Sequence, residues 1–148
     1  MKTVLIEIFK NKIFMTTLAA WIIAQTVKVT VGLIRQKKLD FRWFIGTGGM
    51  PSSHAAGASC LATAVGLQHG FDSVHFALAA AFALVVMFDA QGVRRAAGKQ
   101  AHILNKMTED IYWQGKIKDN RLRELIGHTP IEVIAGVLLG VAIAFVAS

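Results

Sequence analysis

Cysteine, proline and acidic side chains are scarce in this chain, and each shortage excludes something. The single Cys60 rules out an intrachain disulfide, and its apolar neighbourhood suits a small packed hydrophobe, not a nucleophile. Only two prolines, Pro51 and Pro130, occur in 148 residues, so long stretches contain no helix breaker. Asp and Glu number 9 against 16 Lys and Arg, a net charge of +7. There is no internal repeat, low-complexity tract or composition shift that would mark a second domain, so residues 1–148 read as one domain. The apolar run after Lys2 lacks a following small-residue cleavage site, which argues for an interfacial segment and against a removed signal peptide.

What the chain does have is apolar residues in blocks. They make up 54% of the sequence, and the mean hydropathy is +0.50, well above that of a soluble domain of this size. The implied fold class is all-α: a polytopic membrane helical bundle of about four spans. In that setting a basic surplus points to anionic lipid headgroups, not to nucleic acid. Residues 1–12 place Val4, Leu5, Ile8 and Phe9 at helical spacing, as in an N-terminal helix lying at the interface. The expected spans run from about Ile13 to Ile34, Ala55 to Leu67, Ser73 to Phe88, and Pro130 to the C-terminus. Asp89 is expected to close the third. Trp43 and Phe44 suit interfacial anchors. In the polar 90–127 stretch, Ile103, Leu104, Met107, Ile111 and Tyr112 predict a cytoplasmic amphipathic helix ending near Gly115, with a shorter helical piece around Leu122, Leu125 and Ile126.

Charge orients the bundle. The 35–53 and 90–127 loops hold twelve Lys and Arg, against three on the opposite side, Lys2, Lys10 and Lys12. Positive-inside bias puts both loops in the cytoplasm of a cell-membrane protein. Gly136 and Gly140 form a small-xxx-small face that suits packing within the chain or in a homo-oligomer.

Four groups of candidate site residues fall on the cytoplasmic side. Lys28 and Arg35, seven positions apart, share one side of the first span. An ionisable residue that deep faces a polar cavity or a partner; the alternative is a lysine snorkelling to the headgroups. Gly46–His54 is a glycine-rich approach ending in Pro51-Ser52-Ser53-His54, which offers N–H groups, hydroxyls and an imidazole at a helix start. The bland alternative is an N-cap with an incidental histidine. Arg94 and Arg95 follow the third span, and their planar forks suit phosphate oxygens, or one of them pairs with Asp89. In Gly127-His128-Thr129-Pro130-Ile131-Glu132, Thr129 and Glu132 read as a capping box, with Glu132 one turn from His128 and able to hold one ring nitrogen.

Taken together, Lys28 with Arg35, then Pro-Ser-x-His, then His with an acid four residues on, resemble the three-part signature of the type 2 phosphatidic acid phosphatase and vanadium haloperoxidase superfamily. GGMPSSH, DAQGVRRAAG and GHTPIEV resemble its small divergent membrane branch, related to acid phosphatase and vanadium-dependent haloperoxidase. The resemblance covers Lys28 to Gly140. It implies a phosphate monoester hydrolase in which His128 attacks phosphorus to form a phosphohistidine, Glu132 orients it, and His54 protonates the leaving alkoxide. Lys28, Arg35, Ser52 and the backbone at Ser53 would hold the phosphoryl oxygens, with no metal or cofactor. The implied substrate is a phospholipid or isoprenoid phosphate. The chain departs from the pattern at Gln36, where the family has Pro, at Ser53, usually Gly, and at Glu132, usually Asp. The arginine expected before the last His is also missing from its place; Val93-Arg94-Arg95 is the preferred substitute, with Arg121 and Arg123 as alternatives. A non-catalytic membrane protein that binds anionic lipid or a partner through the same basic face is the rival from another class. A serine hydrolase using Ser53 lacks a nucleophile elbow.

Overall fold

The computed structural model describes residues 2–37, 49–112 and 127–148, except for the side chains at 2, 35–36, 93–95 and 109–112. Trp43, Phe44, Gly46–Gly48, Gly115, Arg121, Leu122, Arg123, Leu125 and Ile126 lie outside the described residues.

Among the described residues six α-helices follow one another, with no strand: α1, Lys2–Lys10; α2, Lys12–Gln36; α3, Ser53–His69; α4, Val74–Phe88; α5, Arg94–Tyr112; and α6, Pro130–Ala147. Their starts follow from capping chemistry. Asn11, Ser52, Ser73 and Thr129 each accept a backbone N–H three residues ahead, at Phe14, Ala55, Phe76 and Glu132. Lys37 ends α2 in the left-handed region at φ 51°, its N–H returning to Leu33 O. Within α2 the hydroxyls of Thr26 and Thr30 donate to Ile22 O and Thr26 O, both at 2.9 Å, which satisfies them in an apolar medium.

The packing is the reverse of a soluble core. Small residues fill the inside, among them Ala20, Ala24, Ala55, Ala56, Cys60, Ala83 and Ala144, while Trp21, Leu78, Phe82, Val85, Phe88, Leu138 and Val146 point outward. This is the arrangement expected where lipid, not water, covers the large apolar side chains. Helix α3 is the axis: α2, α4 and α6 all pack against it. Gly136 and Gly140 bring α6 onto α3, because a Cβ at either position would overlap α3 backbone oxygens, Ser52 O and Ala56 O respectively. The small-xxx-small face is therefore used within the chain.

Among the described residues, three helical stretches are long and apolar enough to cross a membrane: Lys12–Ile34, Val74–Thr108 and Pro130–Ala147. Helix α3, at 17 residues, rises about 25 Å and is enclosed by the others. The third apolar segment does not stop at Asp89. That residue stays helical, at φ −59° and ψ −50°, and its N–H bonds to Val85 O and Val86 O. A π-helical turn, Asp89–Val93, then leads directly into α5. The drop in hydropathy at Asp89 marks a change of solvent, and backbone hydrogen bonding carries the helix past it.

Candidate functional site

Two helix N-termini meet at one end of the bundle. The backbone N–H of Ser52, the N-cap of α3, donates to Glu132 O in the first turn of α6 at 2.9 Å. This strap brings together two positive dipole ends, each equivalent to roughly half a charge, at a place suited to an anion.

His128 precedes the N-cap of α6 and is 3% exposed. Its backbone N–H donates to Ala90 O at 2.9 Å. On the side-chain side, Nδ1 lies 3.2 Å from Glu132 Oε2. The same carboxylate oxygen accepts from Thr129 N at 3.0 Å, and Thr129 Oγ1 accepts from Glu132 N at 3.4 Å. Glu132 thus closes the capping box and holds the imidazole with one atom. A carboxylate at Nδ1 fixes the tautomer with the proton there and the lone pair on Nε2.

His54 is the second helical residue of α3 and is half-buried. Its ring centroid lies 6.1 Å from that of His128, with the planes tilted by 58°.

Lys28 is 7% exposed and sits about 12 Å of helical rise before the end of α2. It shares a buried stripe with Ala20, Ala24 and Gln25 that faces inward, and the Glu132 carboxylate lies within electrostatic reach of its ammonium. Its aliphatic stem runs past Gly49, where a Cβ would come within 3.2 Å of Lys28 Cγ and Cδ; Gly49 also has φ +91°. Both facts favour glycine there: the backbone conformation disfavours a side chain, and the lysine occupies the space.

Ser52 is fully buried, and its hydroxyl oxygen accepts from Ala55 N at 3.3 Å, a capping role that leaves the O–H as a donor. Ser53 is 3% exposed and opens α3. Arg35 falls in the last turn of α2, and Arg94 and Arg95 open α5; their side chains lie outside the description. Of the predicted set, the backbone therefore gathers Ser52, Ser53 and His54 with His128 and Glu132, and Lys28 faces the same group.

Sequence reasoning missed the π turn and its carbonyl at Ala90, since a main-chain acceptor leaves no side-chain signature. The nearest hint is Gly92, inside an otherwise helical stretch. Among the described residues, no cluster of three or more His, Cys, Asp or Glu could hold a metal ion.

A family model described as the divergent PAP2 family matches residues 9–143. The chain is 44% identical to the uncharacterized membrane protein YuiD of Bacillus subtilis (strain 168), over 95% of this chain and 96% of that protein. No solved structure matches. A helical membrane bundle that gathers the Pro-Ser-Ser-His and His-Thr-Pro-Ile-Glu segments at one end agrees with that match over nearly the whole chain, and the chain belongs to the divergent PAP2 family, as a phosphatase-related membrane protein.

Proposed function

We propose that the protein hydrolyses a phosphate monoester on a membrane lipid through a phosphohistidine, at the cytoplasmic face. Phosphatidylglycerophosphate-like, phosphatidic and polyprenyl phosphates are the substrate class. The observation that supports this reading is the pair of imidazoles 6.1 Å apart, one of them held through Nδ1 by Glu132.

In this scheme the lone pair on His128 Nε2 attacks phosphorus while the ester P–O bond breaks. The leaving alkoxide takes a proton from His54. His54, now neutral, takes a proton from water, whose oxygen attacks the phosphohistidine and breaks the P–N bond. Inorganic phosphate leaves and both histidines return to their starting states. Lys28, the N–H groups at Ser53 and His54, the Ser52 hydroxyl and Arg35, Arg94 or Arg95 stabilise the oxygens that gain charge. The depth of Lys28 suits a substrate whose chains stay in the bilayer. Phosphate release from purified protein across a panel of lipid phosphates, with His128→Ala beside it, tests the reading; equal background release from both proteins defeats it.

Glu132→Gln separates positioning from folding. Glutamine still completes a capping box, so the melting curve should match the wild type, while loss of the charge behind the imidazole lowers kcat by up to about 10⁴-fold. A lowered melting temperature with kcat retained would assign Glu132 to the cap alone.

The orientation has its own test. Cysteines introduced at Lys38 and Lys118 should resist an impermeant thiol reagent in intact cells and react after permeabilisation, with the native Cys60 buried and silent. Labelling of both in intact cells reverses the orientation.

A further inference from the structure

We infer that the π turn Asp89–Val93 is a positioning device for His128, acting through the main-chain carbonyl of Ala90. Ala90 is 1% exposed and His128 3% exposed, and their backbones meet at 2.9 Å across 38 positions of sequence. The turn lies against the start of α6. In an α-helix every interior carbonyl faces along the axis to the N–H four residues on. A π turn shifts that bond to the fifth residue and widens the backbone, which lets a carbonyl lean out toward a neighbouring element.

His128 stands outside α6, before its N-cap, where no intrahelical bond fixes its main chain. The preceding Gly127, at φ +111°, adds conformational freedom. Two of the restraints on the imidazole can then be named: Glu132 holds it through Nδ1, and Ala90 O sets the place from which the side chain departs. Neither replaces the other. A ring with the right tautomer but a displaced Cα aims Nε2 away from phosphorus.

A π turn is one residue longer than the α-turn it interrupts, so deleting Gly92 should restore a regular helix. Gly92 is exposed, and no atom would lie within 4 Å of a Cβ there, so the deletion removes no packing at that position. A second variant leaves the helix untouched: His128 is replaced by its α-hydroxy acid, turning the peptide N–H into an ester oxygen and keeping the imidazole. The ester variant is assayed with dioleoyl phosphatidate in detergent micelles, and the His128 ring carbon is followed by NMR in both. The kinetic arm rests on the phosphatase reading; the NMR arm does not.

In the ester variant kcat falls roughly 10²-fold, as for a displacement of about 1 Å, while KM stays unchanged; in both folded variants the ring resonance of His128 broadens or splits, and the deletion, which also turns Arg94 and Arg95 at the start of α5, is read by that resonance alone. Retained kcat, or an unaltered ring resonance, overturns the inference. If the deletion variant does not fold, the ester variant alone decides it. If the wild type releases no phosphate, the phosphatase reading falls and the ring resonance still decides the anchor.

Discussion

His128→Ala should lower phosphate release by roughly 10³-fold or more, on the scale of removing a nucleophile that acts as part of a unit, without unfolding the bundle. The fold survives because Glu132 keeps its bond to Thr129 N and α6 keeps its cap. His54→Ala should behave differently. With an alkyl lipid phosphate it loses about 10²–10⁴-fold, the usual worth of a general acid. With an aryl phosphate, whose phenolate leaves without protonation, the first step should recover. In the proposed scheme hydrolysis of the phosphohistidine still needs His54 to activate water, so the acid-labile phosphoenzyme should build up in His54→Ala and never form in His128→Ala. Radiolabelled aryl phosphate and rapid denaturation at alkaline pH measure both. A phosphoenzyme of equal yield in His128→Ala would place the nucleophile elsewhere.

The contrast between the two histidines also shows what the linear sequence could carry. Thr129, Pro130 and Glu132 state a helix start in their spacing, and the structure contains that capping box. The relation of His128 to Glu132 is local, four residues apart, and so equally legible. A serine cap at the start of α3 was legible, with Ser52 and Ser53 equally eligible, and it is the Ser52 hydroxyl that caps Ala55 N. The depth of Lys28 in an apolar run pointed to an inward face, and its burial follows.

What could not be read was how elements distant in sequence meet. The bond from His128 N to Ala90 O and that from Ser52 N to Glu132 O are between main-chain atoms, which every residue type supplies alike. Continuation of the helix through Asp89 was hidden for a related reason. Hydropathy reports the solvent around side chains, and the backbone ladder runs on through a change of solvent.

Gly140→Val should be the most destabilising single substitution on α6. A Cβ at this position would overlap Ala56 O and Ser59 Oγ, and at Gly136 it would overlap Ser52 O. Backbone oxygens of a packed helix cannot turn aside as a flexible side chain can, so the helices must separate. Ser59 Oγ would also lose its position at 3.3 Å from Val137 O. The expected cost is about 3 kcal/mol or more, at the upper end of overpacking, read as a loss of folded protein in a denaturing-detergent titration. Leu138→Ala is the matched control: Leu138 is 66% exposed, and replacing lipid-facing apolar surface should change little. Wild-type unfolding of Gly140→Val would mean that α3 and α6 do not meet here. Gly136→Ala is the subtler arm, because its clash falls on the N-cap of α3, beside His54. Parting the helices there lengthens the gap between the two imidazoles, so phosphate release should drop together with stability. On the mechanism proposed above, the glycines would set the spacing across which a phosphoryl group passes from lipid to histidine to water.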